Sequence, residues 1–267
     1  MVSSLWSKKN FLAPYSYIVA HHIYEYDIQK ANINVLYELN LIDSDYYDRL
    51  CKMDRMSRQV EIGYLLKYNE GLSDKLSAGI ELYRKKLFYS NNIEDMDVLS
   101  IKNDAVFIVD KILKNTVFGR VKFVLKNTYT TYVKLGDRLE VYFEYDSVTG
   151  NISLTIKGIS DKKLELHRDY MASVIANTLY YIETGDLESG LTYITEIWNS
   201  YISYNLDIGF YRNFNSDSNY TIRVNNALYS IPFCDKKDIQ SLDISCNFNI
   251  IRDLYGNLIH IYFQKHK

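Results

Sequence analysis

From Phe118 to Ile156 apolar and polar residues alternate in short runs, a period that extended strands satisfy and helices do not. The runs are Phe118–Leu125, Tyr129–Lys134, Leu139–Tyr145 and Ile152–Ile156, with Val148-Thr149-Gly150-Asn151 placed as a hairpin turn between the last two. A sheet of this kind buries one face, so the chain must supply a layer to cover it. It does so on both sides of the strand block.

Ahead of the block, residues 15–28 are rich in β-branched and aromatic types and read as one strand or two short ones. From Lys30 the spacing turns helical, with Ile33, Leu36 and Tyr37 on one side. Asp43-Ser44-Asp45 is a capping cluster that predicts a second helix to about Met53. A third is predicted from about Arg55 to Tyr68 with Val60, Ile62, Leu65 and Leu66 inward, and a fourth, capped by Ser73, to about Tyr89. Val98–Ile101 and Ala105–Val109 flank Lys102-Asn103-Asp104 as strand, turn and strand. Beyond Ile159 the helical period returns to about Leu206, broken around Gly185 to Gly190, and from Tyr220 onward strands and short helices are expected. The arrangement predicts an α+β fold, an antiparallel sheet packed by helices with a helical C-terminal part. Two domains are expected, residues 1–160 with a helical insertion at about 30–90, and residues 161–267.

Composition excludes several classes. With 47% hydrophobic residues the chain can build a core, and 2 prolines with 11 glycines favour long regular elements. A net charge of −2 rules out a wholesale basic coat but leaves room for a local basic track. Cys51, Cys234 and Cys246 form no CxxC pair, and their odd number argues for reduced thiols in a cytoplasmic protein. No leader-like apolar run follows Lys8 and Lys9, and no segment approaches the ~20 apolar residues of a membrane span, so no membrane partner is expected. The 26 tyrosines, with abundant Asn, Ile and Lys, match an A/T-rich coding sequence such as that of a low-GC virus, phage or bacterium. Loops of the Gly-x-x-x-x-Gly-Lys and Gly-x-Gly-x-x-Gly types are absent, and His21 and His22 on one strand face opposite sides.

Two carboxylates stand out by position. Asp27 ends a strand and precedes a helix, and Asp104 sits in a hairpin turn. Two acids at the strand ends of one sheet can share Mg²⁺ or Mn²⁺, which take oxygen ligands from one or two carboxylates and from substrate phosphates. Between Lys111 and Arg138 lie Lys111, Lys114, Arg120, Lys122, Lys126, Lys134 and Arg138 against one acid, Asp137. Several share a strand face, as phosphate contacts require, and the interleaved Phe123, Tyr129 and Tyr132 are candidates for stacking on bases.

Four segments, in order, resemble the palm and thumb of the family B DNA polymerases. Tyr26-Asp27-Ile28-Gln29-Lys30-Ala31-Asn32 is similar to the first palm motif, and Ser100 to Phe107 to the third, whose second Asp falls at Asp104. Lys126-Asn127-Thr128-Tyr129 resembles the strand on which the palm grips a primer, and Ile156-Lys157-Gly158-Ile159 with His167-Arg168-Asp169 resembles the segment entering the thumb. The resemblance implies a palm-like sheet, a thumb-like C-terminal part, Asp27 and Asp104 as catalytic metal ligands for Mg²⁺ or Mn²⁺, and a DNA primer-template as partner. It implies nucleic-acid contacts for Lys122, Lys126, Tyr129, Lys157 and Gly158, with Arg55 and Arg58 as stand-ins for triphosphate contacts. The chain departs from the family pattern at Lys102, where the first Asp of the third motif would stand, and at Asn32, where an aromatic sugar gate would fall. Two expectations follow: metal-dependent nucleotidyl transfer, or a degenerate palm that only binds nucleic acid within a replication complex. A rival from another class is a non-enzymatic viral assembly subunit with a Tyr-rich surface, drawing on Ile194, Ile197, Trp198 and Tyr201.

Overall fold

The computed structural model describes residues 4–135, 139–145, 152–157, 168–203, 205, 221–224, 227–230, 256, 258–261 and 263. Within them the chain is α+β with antiparallel strand pairing, as the sequence predicts. It forms two compact units, residues 1–14 with 20–130, and residues 15–19 with 131–267. The domain boundary expected at 160/161 lies outside the described residues.

The first unit holds the strands β1 (Asn10–Leu12), β3 (Val98–Lys102), β4 (Ala105–Val109) and β5 (Val117–Phe118), with most of β2 (Tyr17–Ile28) and of β6 (Val121–Leu135). Their order is β1-β3-β4-β2-β6, with β5 paired to β6. Tyr26 and Ile28 on β2, Ile101 on β3 and Val106 and Ile108 on β4 are buried in one core with α1 (Ala31–Glu38) and α4 (Leu72–Ser90). The helices contribute Val35, Leu36, Leu76, Ile80, Leu87 and Phe88. Burying each such side chain contributes roughly 1.5–3 kcal/mol before the entropy of ordering it is subtracted. Gly79 lets α1 and α4 approach: a Cβ there would lie 2.5 Å from Leu39 Cδ1 and 2.6 Å from Val35 Cγ1.

The helices α2 (Ser44–Lys52) and α3 (Arg55–Tyr68) follow α1 and meet it through Ile33, Tyr47, Leu50 and Ile62. Asp43 caps α2 by accepting from Tyr46 N at 2.7 Å, as its position in the sequence predicts. The expected cap at Ser73 is displaced: α4 begins at Leu72 behind Gly71, whose φ of 72° suits a residue without a Cβ. Val60, expected inward, is 55% exposed. It stands two residues from the buried Ile62, about 200° around the helix, so the two cannot share a face. Met56, Val60, Tyr64 and Tyr68 form an exposed stripe at four-residue spacing on α3.

The expected pair Phe118–Leu125 and Tyr129–Lys134 is built differently. Phe118 ends the short β5, a turn through Gly119 follows, and Val121–Leu135 is one uninterrupted strand. Lys126-Asn127-Thr128 reads as a break by polarity, but its backbone stays extended and Asn127 bonds a carboxylate on β2.

The second unit contains the end of β6, β7 (Leu139–Tyr145), β8 (Ile152–Lys157), α5 (Arg168–Thr184), α6 (Leu187–Ile202) and the hairpin of β9 (Thr221–Val224) and β10 (Ala227–Ser230). Val133, Val141, Phe143, Leu154 and Ile156 pack with Met171, Val174, Ile175, Ile182, Ile194 and Tyr201. Ile194 and Tyr201 are therefore internal to this unit, and Ile197 and Trp198 are packed against the same core. Of the four residues expected to form a partner surface on α6, Ile194 and Tyr201 are taken up by this core, and Ile197 and Trp198 stay partly exposed.

Candidate functional site

Strand geometry puts Glu25 and Asp27 on the face of β2 opposite Tyr26 and Ile28, which belong to the helix-covered core. The antiparallel register then places Asp27 across from Ala105 and Glu25 across from Phe107. Asp104 precedes Ala105 directly, so the β3–β4 turn delivers its carboxyl to the end of β2. The turn is closed by Lys102 pairing with Ala105, and Asn103 adopts φ 56°, a left-handed conformation that Asn tolerates. Asn103 Nδ2 reaches Asp104 Oδ1 at 3.4 Å.

The turn is anchored from outside the sheet. Arg84 of α4 is 2% exposed, and its guanidinium donates to Asn103 O at 2.7 Å, Lys8 O at 2.6 Å and Trp6 O at 3.2 and 3.3 Å. A buried cation satisfied by backbone carbonyls fixes the loop that carries Asp104.

Asp27 and Asp104 line one cavity of about 430 Å³ together with Lys30, Asn32, Arg55, Arg58, Gln59 and Lys126. The two carboxyls are close enough to share a hydrogen bond. Burial pushes Asp104 above its ordinary value, and the charge of Asp27 and that hydrogen bond push it further. Like charge at this distance disfavours ionisation of Asp104, and a nearby cation relieves it. Lys126 Nζ lies 3.5 Å from Asp27 Oδ2 and 4.0 Å from Glu25 Oε1. Glu25, 1% exposed, accepts at Oε2 from Tyr129 Oη at 2.6 Å and from Asn127 Nδ2 at 2.7 Å.

The start of α1 also lines the cavity. Lys30 leads into the helix with φ 49° and ψ 47° and supplies no side-chain cap, so that side chain leaves the first backbone N–H groups unbonded. Asn34 braces this turn, donating to Gln29 O at 2.6 Å and accepting from Tyr47 Oη at 2.9 Å. Arg58 on α3 also donates to Met53 O at 3.1 Å.

The structure thus brings together Asp27, Asp104, Arg55, Arg58 and Lys126. Lys122 is exposed on β6 and, two and four residues before them, alternates onto the strand face of Val124 and Lys126. The wider basic track is thinner than expected, because Lys111 pairs with Asp97 at 3.0 Å and Arg120 lies over the rings of Tyr37 and Tyr47. Phe123, Tyr129 and Tyr132 are 3%, 2% and 0% exposed, so none presents a ring for base stacking, and Tyr129 instead holds Glu25. Lys157 lies on β8 of the second unit, opposite Glu140 in register, and Gly158 and Arg138 lie outside the described residues. Sequence reasoning passed over Glu25 and Arg84. Glu25 was within reach, since it is two residues from Asp27 on the same strand. Arg84 carried no signal, because its partners are backbone carbonyls.

No group of three or more His, Cys, Asp or Glu side chains suited to a metal occurs among the described residues. An all-oxygen pair of carboxylates beside cationic side chains does fit Mg²⁺, which is held by one or two carboxylates and completes its shell with water and phosphate. Among the described residues no helix is long and apolar enough to cross a membrane.

The chain matches, over residues 1–260, the model of a protein family described as Bacteriophage PBS1 gene 130 protein. No curated protein matches it.

Proposed function

The chain belongs to a phage protein family, that of the Bacteriophage PBS1 gene 130 protein, and from that premise we propose that its first unit is a palm-type nucleic-acid site for metal-dependent nucleotidyl transfer. The observation that carries this reading is the convergence of Asp27 and Asp104 on one cavity with Arg55, Arg58 and Lys126. Asp27 and Asp104 would hold Mg²⁺. The ion would supply charge neutralisation at a transferring phosphoryl group.

The protein's own groups fit the remainder of such a ligand. Four cations (Lys30, Arg55, Arg58 and Lys126) face two carboxylates, which leaves positive charge for a polyphosphate. The uncapped N–H groups at the start of α1 point the same way as a second source of phosphate donors. Lys122 extends the basic character along the face of β6 on which a nucleic-acid backbone would run. Asn32, small and polar, stands in the cavity where an aromatic gate would exclude one sugar type, so discrimination between ribose and deoxyribose is expected to be weak.

Mn²⁺ binding followed by the loss of the free-ion paramagnetic signal tests the site directly. Asp27→Asn and Asp104→Asn should each reduce the affinity at least tenfold, the effect expected when a ligating carboxylate is lost. Primed DNA should bind with an affinity that falls steeply with salt, with a shallower slope for Arg55→Ala and Arg58→Ala. Parent-like Mn²⁺ binding by both Asn variants would remove the metal site. A flat salt response would remove the nucleic acid.

A further inference from the structure

We propose that Lys126 is a resident counter-ion of the carboxylate cluster, and that Glu25 is the positioning residue that keeps its ammonium in the cavity when a divalent cation takes Asp27. The proposal rests on the metal reading of the Asp27–Asp104 pair and adds what this chain does with that pair before and after the ion arrives.

Asp27 and Asp104 line the cavity at the end of β2, Glu25 stands two residues back on the same strand face, and one lysine sits between Asp27 and Glu25. The ammonium of Lys126 is 3.5 Å from Asp27 Oδ2 and 4.0 Å from Glu25 Oε1, distances that leave it attracted to both and locked to neither. Its side chain is 51% exposed, so it can move. Glu25 cannot. Its side chain is 2% exposed, and the bonds from Tyr129 and Asn127 converge on Oε2, which turns Oε1 towards Lys126. Held on Oε2 by two donors, this buried side chain keeps Oε1 within reach of the ammonium.

A divalent ion held by Asp27 and Asp104 competes with Lys126 for the negative charge of Asp27, which lies 3.5 Å from the ammonium. Displacement would expel a simple surface lysine into solvent. Here Glu25 offers a second carboxylate within a short swing, and the ammonium stays at the edge of the cavity, available to a phosphate. Lys126 therefore weakens the ion's hold in the resting protein, and Glu25 limits that effect by giving the displaced cation somewhere to go.

Mn²⁺ titration of the full chain and its variants tests this. Lys126→Met should bind Mn²⁺ about tenfold more tightly than the parent, within the usual span of coupling between two ligands of one site. Lys126→Arg, which keeps the cation, should bind like the parent. Glu25→Gln should weaken Mn²⁺ binding, and by a larger factor with Lys126 present than with Met there, since a through-space loss of charge alone would act equally in both backgrounds. Thermal melts with EDTA should show that Lys126→Met and Glu25→Gln are folded. If Lys126→Met binds no more tightly than the parent while Asp27→Asn abolishes binding, the counter-ion role is overturned and the metal site stands. If neither the parent nor Lys126→Met binds Mn²⁺, the metal site is overturned and this role with it.

Discussion

The hydroxyl of Tyr129 donates a 2.6 Å hydrogen bond to the carboxylate of Glu25, joining β6 to β2 from within the sheet. Tyr129 is 2% and Glu25 1% exposed, so the bond is shielded from water. Tyr129→Phe removes the donor and leaves the acceptor in place. The loss should be about 1.5–3 kcal/mol of stability, read from urea denaturation, with little change in the slope of the transition.

The raised pKa of Asp104 makes stability depend on pH in a defined direction. Above the ordinary carboxyl value of 3.8, folded Asp104 keeps a proton that the unfolded chain gives up. Between 3.8 and the raised folded value the native state binds more protons, so metal-free stability falls as pH rises through that window and levels off above it. Asp104→Asn should remove this fall and be more stable than the parent at neutral pH. Denaturation in EDTA from about pH 4 to about pH 7 checks it; a parent whose stability rises across that window contradicts the sign.

Arg84 should be among the costliest positions in the first unit. Replacing it by Met leaves the carbonyls of Trp6, Lys8 and Asn103 without their donor. The expected loss is about 2–4 kcal/mol. Arg84→Lys keeps the charge but not the fork and should recover only part of it. Because Asn103 O is one of the acceptors, hydrogen exchange at the Asp104 turn should quicken in both variants.

Two helical glycines should respond in opposite ways to alanine. At Gly63 on α3 nothing lies within 4 Å of an added Cβ, so Gly63→Ala should stabilise by about 0.5–1 kcal/mol through the reduced entropy of the unfolded chain. At Gly79 the same methyl meets Leu39 and Val35 at 2.5 and 2.6 Å, and forcing α1 from α4 should cost about 1–3 kcal/mol. Paired thermal melts of the two variants decide it.

What could be read from the sequence divides along physical lines. Local signals were legible: the Asp43 cap, the turn at Asn103-Asp104 and the period-two runs all report on interactions between residues a few positions apart. Asp27 and Asp104 were legible as a pair only through their places at strand ends, and the register Asp27↔Ala105 supplies the convergence. Burial was the blind spot. Tyr129 and Tyr132 carry the same polarity as exposed tyrosines, and only the pairing of β6 with its neighbours decides which rings are covered. Val60 was misplaced because a helical window of apolar residues does not say where its centre lies. Partners of backbone type, as for Arg84, leave no trace in side-chain chemistry.

The contacts of Arg84 also bear on how this family can diverge. One guanidinium is the common anchor for the segment around Trp6 and Lys8 and for the hairpin that carries Asp104. Main-chain acceptors ask nothing of their own side chains, so this contact leaves residue 8 free to drift in identity, whereas Trp6 is buried against Phe88 and Asn103 holds a left-handed turn. The spacing of the three carbonyls and the arginine are not free to drift. A lineage that shortens the segment before β1 should lose the arginine in the same step, and one that keeps both should keep the aspartate.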